Sequence, residues 1–176
     1  MKSNSPLLSV ESLTISSKNR VLLSDLSFSI FPNEIVAIVG ESGSGKSLTA
    51  LSIAGLLSDS KLKVESKKLQ LGENDLSKLS QKDWESTRGK NIGMVFQEPQ
   101  SSLNPSMRCG IQVMERLKKF EKGDKKTNFA KVLSAFNEVQ LPNPERVFKA
   151  YPHELSGGQK QRVMIVMALI CKPQLL

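Results

Sequence analysis

Eight consecutive residues, Gly40-Glu41-Ser42-Gly43-Ser44-Gly45-Lys46-Ser47, are the part of this chain whose types and spacing most plainly suit chemistry. They match G-x-x-x-x-G-K-[ST] at every fixed position. Glycines let a backbone fold so that successive N–H groups point inward at phosphate oxygens. A helix beginning near Gly45 adds unpaired N–H donors and the positive end of its dipole. Lys46 supplies a mobile point charge for the β- and γ-phosphates of a nucleoside triphosphate, and the Ser47 hydroxyl is suited to ligating Mg²⁺. The competing reading is a chance glycine-rich turn, and the flanking sequence argues against it.

That flanking sequence supplies the elements the loop needs. Ile35-Val36-Ala37-Ile38-Val39 is a continuous apolar run between the turn Pro32-Asn33-Glu34 and Gly40, which predicts a parallel strand buried on both faces. Upstream, Leu26, Phe28 and Ile30 alternate with polar residues, as in a half-buried strand. Downstream, Leu48, Leu51, Ala54 and Gly55, with Leu56, suit a helix. Strand, Gly-rich turn and helix in that order begin a βαβ unit and point to an α/β fold.

Residues 58–72 are polar and Lys-rich and read as the least constrained stretch. Asn91–Phe96 is a further strand candidate, after which Pro99, Asn104 and Pro105 interrupt regular structure. Phe129, Val132, Leu133, Phe136 and Val139 recur at helical spacing, an ordinary core stripe, and Pro142 and Pro144 end that helix. A last helix is predicted from Gly158 to Ile170, stopped by Pro173. No internal repeat or low-complexity linker is visible.

Leu155-Ser156-Gly157-Gly158-Gln159 stands at the start of that last helix. Physically it is a second Ser/Gly nest, with backbone N–H groups and a hydroxyl available to an anion. Alone, such a nest is more often a helix cap than a site. Beside a complete phosphate loop it gains a second reading, in which two nests clasp one triphosphate from opposite sides.

Composition narrows the class. With 176 residues, 39% of them apolar and 24% charged, the chain suits one globular domain with its own core. The net charge of +8 would suit nucleic acid or an anionic surface, but the basic residues are scattered and interleaved with acids, as in Glu121–Lys126. A solvated surface is the main reading. Trp84 and Tyr151, the only residues of their types, make no base-stacking platform, so no nucleic acid is expected. Cys109 and Cys171 lack a second ligand at metal spacing and read as two incidental thiols of a reduced cytosolic protein. The N-terminal residues lack the apolar region of a signal peptide, and no run approaches the roughly 18 apolar residues of a membrane span.

LSGGQ after a GESGSGKS phosphate loop, with MVFQEP between them, resembles the nucleotide-binding subunit of ABC transporters over essentially the whole chain. FQEPQSSLNPSM, YPHELSGGQKQRVMIVMAL and GESGSGKSLTALSIAGLL are similar to the ATP-binding subunits of peptide and nickel importers, a dipeptide or oligopeptide importer of bacteria being favoured. The resemblance implies a P-loop NTPase fold of the ABC type, a mixed sheet around the P-loop helix plus a helical subdomain. It divides the chain into an ATP-binding core (1–97), a helical subdomain carrying the signature motif (98–161) and the signature helix with a return toward the core (162–176). ATP and Mg²⁺ are the implied cofactors, with Gly40 to Ser47 around the phosphates and Ser47 and Gln97 at the metal. Lys46 and Gln97 are the implied catalytic positions, Gln97 touching Mg²⁺ and the attacking water and relaying nucleotide state to membrane subunits. Ser156 and Gly158, within the motif that includes Gly157 and Gln159, would contact the γ-phosphate held by another copy's loop. The implied partners are a second ABC ATPase subunit, transmembrane permease subunits and, indirectly, an extracytoplasmic solute-binding protein, at the cytoplasmic face of the inner membrane.

The same resemblance exposes departures. The family carries, just after the signature helix, an apolar strand ending in Asp-Glu, then a D-loop and a switch histidine. This sequence stops at Pro173-Gln174-Leu175-Leu176, so the expectation is a C-terminally incomplete domain, marginally stable and without normal ATPase activity alone. His153 precedes the signature motif and reads as structural, next to Pro152, not as the switch histidine. No aromatic residue for adenine stacking stands near Ser16-Ser17-Lys18. Two alternatives to transport remain, a soluble non-transport ABC ATPase and a non-hydrolysing ATP-binding fragment.

Overall fold

The computed structural model describes residues 5–57, 61–97, 102–121 and 123–176. By contacts the chain falls into two compact units, Met1–Trp84 and Glu85–Leu176.

The first unit is built on β1 (Leu8–Ser17) and β2 (Arg20–Ile30), a long antiparallel hairpin. Leu8 and Val10, then Leu13 and Ile15, are buried along β1. A strict period of two would turn Leu13 and Ile15 outward. A register shift between Val10 and Leu13, with Ser12 at φ 52°, inserts the extra residue that returns both to the core face. Ser27 Oγ accepts the Ser12 N–H at 2.8 Å at that irregularity. On β2, Leu26, Phe28 and Ile30 alternate with exposed residues and are half-buried, as their spacing predicts.

β3 (Lys63–Glu65) and β4 (Lys68–Leu71) also pair antiparallel with β1, and β5 (Asn74–Asp75) pairs with β4. The stretch expected to be least constrained is therefore sheet over much of its length. Leu69 and Leu71 are buried there because they face the same core as Leu8 and Val10; residues 58–60 lie outside the described part. α1 (Lys46–Ile53) follows the glycine-rich loop as predicted, but its buried residues are Thr49, Ser52 and Ile53, with Leu48 and Leu51 half-buried.

One expectation fails outright. Ile35–Val39 is not a buried parallel strand: it forms no strand, and Ile35 and Val39 are 100% and 87% exposed. A strand buried on both faces needs neighbours on both edges and a layer over each face. Among the described residues none of the strand pairings involves this run. Its apolar character alone does not create the edges it needs.

α2 (Gln81–Lys90) contains the unit boundary after Trp84, and its helical geometry breaks at Arg88 and Gly89. In the second unit, the strand expected over Asn91–Phe96 is reduced to isolated parallel bridges from Ile92 to Arg88 and to Leu175. Gly93 N–H donates to the Leu175 carbonyl at 2.8 Å.

The rest of this unit is helical: α3 (Cys109–Phe120), α4 (Lys125–Glu138), α5 (Pro144–Lys149) and α6 (Gly157–Leu169). Asp124 caps α4 by accepting the Thr127 N–H at 2.7 Å, and Pro144 opens α5 where its missing N–H costs nothing. Val113, Leu117, Val132, Phe136 and Val163 are completely buried and form the centre of one core. Of the predicted α4 stripe, Val132 and Phe136 reach that centre, while Phe129, Leu133 and Val139 pack at its edge. Truncating Phe136 to Ala would cost about 3–5 kcal/mol by the usual transfer and cavity terms.

Candidate phosphate-binding site

The loop from Gly40 to Ser47 connects the exposed run to α1 within the first unit. Gly43 (φ 82°) and Gly45 (φ 94°) take the left-handed conformation that L side chains resist. At Gly45 the space is also restricted: a Cβ there would lie 3.2 Å from Leu23 Cδ1 of β2. Gly43 has no such neighbour, so its requirement is purely conformational. The Ser44 N–H donates to the Glu41 carbonyl at 3.2 Å and closes the turn.

Gly45 is the N-cap of α1 and offers no side chain to cap it, and the first turn carries no acidic residue. The N–H groups there remain directed at whatever anion approaches. Below them the helix is anchored by buried polar contacts, with Thr49 Oγ1 donating to the Gly45 carbonyl at 3.0 Å and Ser52 Oγ to the Thr49 carbonyl at 2.8 Å. Lys46 Nζ curls back over the loop and donates to the carbonyls of Gly40 at 2.9 Å and Glu41 at 2.6 Å. The ammonium is thus placed over the glycine loop at the N-terminus of α1. Ser47 is exposed on the first turn of the helix. These features fit a polyphosphate: a cation, a helix N-terminus with no side-chain cap and glycine backbone come together, with no acidic residue in the first helical turn. Among the described residues no group of three or more His, Cys, Asp or Glu side chains is arranged to hold a metal.

The second motif lies in the second unit. Ser156 is the N-cap of α6 and forms a reciprocal box with Gln159: Ser156 Oγ accepts the Gln159 N–H at 3.3 Å, and Gln159 Oε1 accepts the Ser156 N–H at 3.0 Å. Gly157 and Gly158 are exposed, and no heavy atom lies within 4 Å of where a Cβ would stand on either. The box therefore satisfies the main-chain amides at the two ends of the motif and leaves the glycine backbone between them uncovered. Both readings of the nest, cap and anion seat, are physically compatible here.

Gln97 is exposed and is the last described residue before position 102. His153 stacks on Tyr151, with ring centroids 5.6 Å apart and planes within 10°, and the Arg108 guanidinium lies 5.8 Å from the Tyr151 ring. At Ser16–Lys18 the chain turns from β1 to β2, with Ser17 Oγ donating to the Arg20 carbonyl at 3.3 Å and no aromatic ring in the turn.

Two residues with positioning roles escape a sequence reading. Gln112, on the buried side of α3, accepts the Asn104 N–H and donates to the Asn104 and Met107 carbonyls at 2.8–2.9 Å, pinning the Asn104–Met107 turn. Its signal is a polar residue at a core position of an apolar helical stripe, i+3 from Cys109. Arg162 donates from Nη1 to the Val139 and Gln140 carbonyls at the end of α4, a partner that residue spacing does not indicate.

Comparison with known proteins agrees with this geometry. Residues 23–176 match the family described as ABC transporter. The dipeptide transport ATP-binding protein DppD of Escherichia coli (strain K12) is 43% identical over 151 residues, 86% of this chain and 46% of that protein. The oligopeptide transport ATP-binding protein OppD of Haemophilus influenzae is 41% identical over 175 residues, 97% of this chain and 54% of that protein. The chain spans about half the length of the curated relatives it matches. Among solved structures, the dimeric ATP-binding cassette MJ0796 bound to ADP and Pi superposes with a TM-score of 0.80 at 26% identity, covering 94% of this chain and 70% of that one. CbiO1 from Clostridium perfringens, part of an ABC transporter complex, gives 0.77 at 26% identity, covering 96% and 62%. A match over most of the chain, joined to a phosphate loop with its lysine in place, makes this protein a member of the ABC transporter family.

Proposed function

We propose that this chain is the ATP-binding, energy-coupling portion of an importer subunit for dipeptides or oligopeptides. The observation that carries the reading is Lys46, whose ammonium lies over a glycine loop at the uncapped N-terminus of α1. Gly40 to Ser47 would surround the triphosphate through main-chain amides, Lys46 would neutralise its β- and γ-oxygens, and the Ser47 hydroxyl would help hold Mg²⁺. Bound MgATP supplies the phosphoanhydride whose cleavage powers transport.

In this reading Gln97 reaches the metal and the attacking water, and Ser156 with the Gly157-Gly158 backbone and Gln159 faces the γ-phosphate held by a second ATPase copy. Residues 1–97 act as the nucleotide core, 98–161 as the helical subdomain and 162–176 as the signature helix with its return. ATP favours the closed two-copy state because it bridges both nests, a ligand-driven population shift. Permease subunits receive that closure at the cytoplasmic face of the inner membrane, and a solute-binding protein delivers the peptide on the other side. The peptide assignment is supported by the relatives named for dipeptide and oligopeptide transport.

The 176 residues contain no Asp-Glu pair. We therefore expect this polypeptide alone to bind ATP without normal turnover. The deciding experiment measures MgATP binding by thermal shift and by equilibrium binding, in this polypeptide and in the full-length subunit, with Lys46→Ala as control. Binding that disappears with Lys46→Ala supports the reading, and wild-type protein indifferent to excess MgATP overturns it. Normal phosphate release by the 176-residue polypeptide refutes the dependence on an Asp-Glu pair. Co-purification of the full-length subunit with two multi-spanning membrane proteins separates transport from a soluble, non-transport role.

A further inference from the structure

α4 does not end simply. The Leu141 N–H reaches back to the Phe136 carbonyl at 2.9 Å and the Gln140 N–H to the Asn137 carbonyl at 2.8 Å, while Gln140 sits at φ 55°. This left-handed turn carries the Val139 and Gln140 carbonyls beyond the helical ladder. Both are taken by one group from another helix: Arg162 Nη1 of α6 donates to Val139 O at 3.2 Å and to Gln140 O at 2.6 Å.

Apolar side chains also seat α6. Val163, Met164 and Val166 are buried on it, and Val163 and Val166 belong to the core shared with α3 and α4. Apolar burial is strong but non-directional, so by itself it tolerates small slides and rotations of a helix along its seat. Two charge-assisted hydrogen bonds to carbonyls of the left-handed turn, although exposed, add a directional restraint that apolar burial lacks. Arg162 lies six residues after Ser156, about 9 Å along the helix axis at 1.5 Å per residue.

We propose that Arg162 is a positioning residue for the signature nest: by latching α6 to the end of α4, it sets the axial position and rotation at which Ser156, Gly157 and Gly158 are presented. This rests on the nucleotide-binding reading above, and it adds a residue outside the LSGGQ motif on which the motif's geometry depends. A displacement of about 1 Å at a reacting group can cost 10²-fold in rate, so a loosened latch affects turnover far more than binding at the phosphate loop.

The test uses the full-length subunit in its assembled transporter, with Arg162→Ala and Arg162→Lys. The expected result for Arg162→Ala is ATP binding within about twofold of wild type and a kcat lower by roughly ten- to a hundredfold. Arg162→Lys recovers only part, because the lysine ammonium stands on a shorter arm than the Nη1 that makes both bonds. Amide exchange over residues 156–160 quickens in Arg162→Ala, while α3 stays as protected as before. A kcat within twofold of wild type in Arg162→Ala, or unchanged exchange over 156–160, overturns the proposal. If wild-type protein fails to bind MgATP, the nucleotide reading falls instead, and the exchange comparison still judges the latch by itself.

Discussion

The Lys46 ammonium donates to the main-chain oxygen of Glu41 at 2.6 Å, five residues back in the same loop. Together with Gly40 this gives the cation two carbonyl partners, and phosphate oxygens must replace them for a nucleotide to bind. Those carbonyl contacts are solvent-exposed, so they are easily exchanged. In the proposed reading these contacts hold the lysine near the phosphates at little cost.

Replacing Lys46 with Ala therefore removes a charged partner of the ligand while disturbing few packing contacts. Hydrogen bonds to charged groups contribute about 1.5–3 kcal/mol, so affinity for MgATP should fall roughly ten- to a hundredfold. The melting temperature without nucleotide should stay close to wild type. Isothermal titration against ATP, paired with melting curves with and without nucleotide, checks both halves.

Gly110 of α3 meets Phe148 of α5 so closely that a Cβ on it would lie 2.1 Å from Phe148 Cδ2. Ala in place of Gly usually favours a helix by up to about 1 kcal/mol. Here overpacking, about 1–3 kcal/mol or more, opposes it. The ring has little freedom to yield, since it also makes an edge contact with Phe129 at 4.7 Å. Gly110→Ala should lower the denaturation midpoint, and adding Phe148→Leu should recover part of the loss. A stabilised single variant would contradict this packing.

Asp124 caps α4, and the Thr127 N–H beside its carboxylate holds its pKa below the usual range. A depressed carboxylate contributes stability that is present above the unfolded value, near 3.9, and lost as pH falls through the folded one. Asp124→Ala should thus melt earlier than wild type at pH 7, and the gap should shrink in acid as Asp124 becomes protonated. Asp124→Asn, which keeps the capping oxygen, should lie between them at pH 7. Melting temperatures of the three proteins across pH 2.5–7 provide the check (~pH values bracketing the carboxylate range).

The two thiols should differ in access. Burial pushes Cys109 up to about 11, and Cys171 is also raised by burial, though it is only half-buried. Because the thiolate is the reactive form, both should be slow towards a thiol reagent near neutral pH. Cys171 should label first, and Cys109 only when the second unit opens. Mass spectrometry of a labelling time course, native and in denaturant, distinguishes the order.

What could be read without coordinates was whatever depends on local spacing. The phosphate loop needs only glycines, a lysine and a hydroxyl at set intervals, and the interaction of each with the backbone is local. The core stripe around Val132 and Phe136 and the start of α6 after Ser156 were legible for the same reason, because a helix closes its own hydrogen bonds. Sheets do not. Leu69 and Leu71 alternate over only four residues, too short a period to announce a strand until β1 lies beside them. Ile35–Val39 has the composition of a buried strand, yet composition cannot provide the neighbours that would bury it.

By itself, the sequence placed glycines, Lys46 and Ser47 at phosphate-loop spacing and carried the resemblance to the family that the comparison bears out. The tertiary structure alone decided that Lys46 turns back onto Gly40 and Glu41, that Gln112 pins the Asn104–Met107 turn, and that Arg162 ties α6 to the end of α4. Each of those contacts depends on where main-chain carbonyls point. That direction is set by the folding of segments up to 23 positions apart, and no local pattern of residue types encodes it.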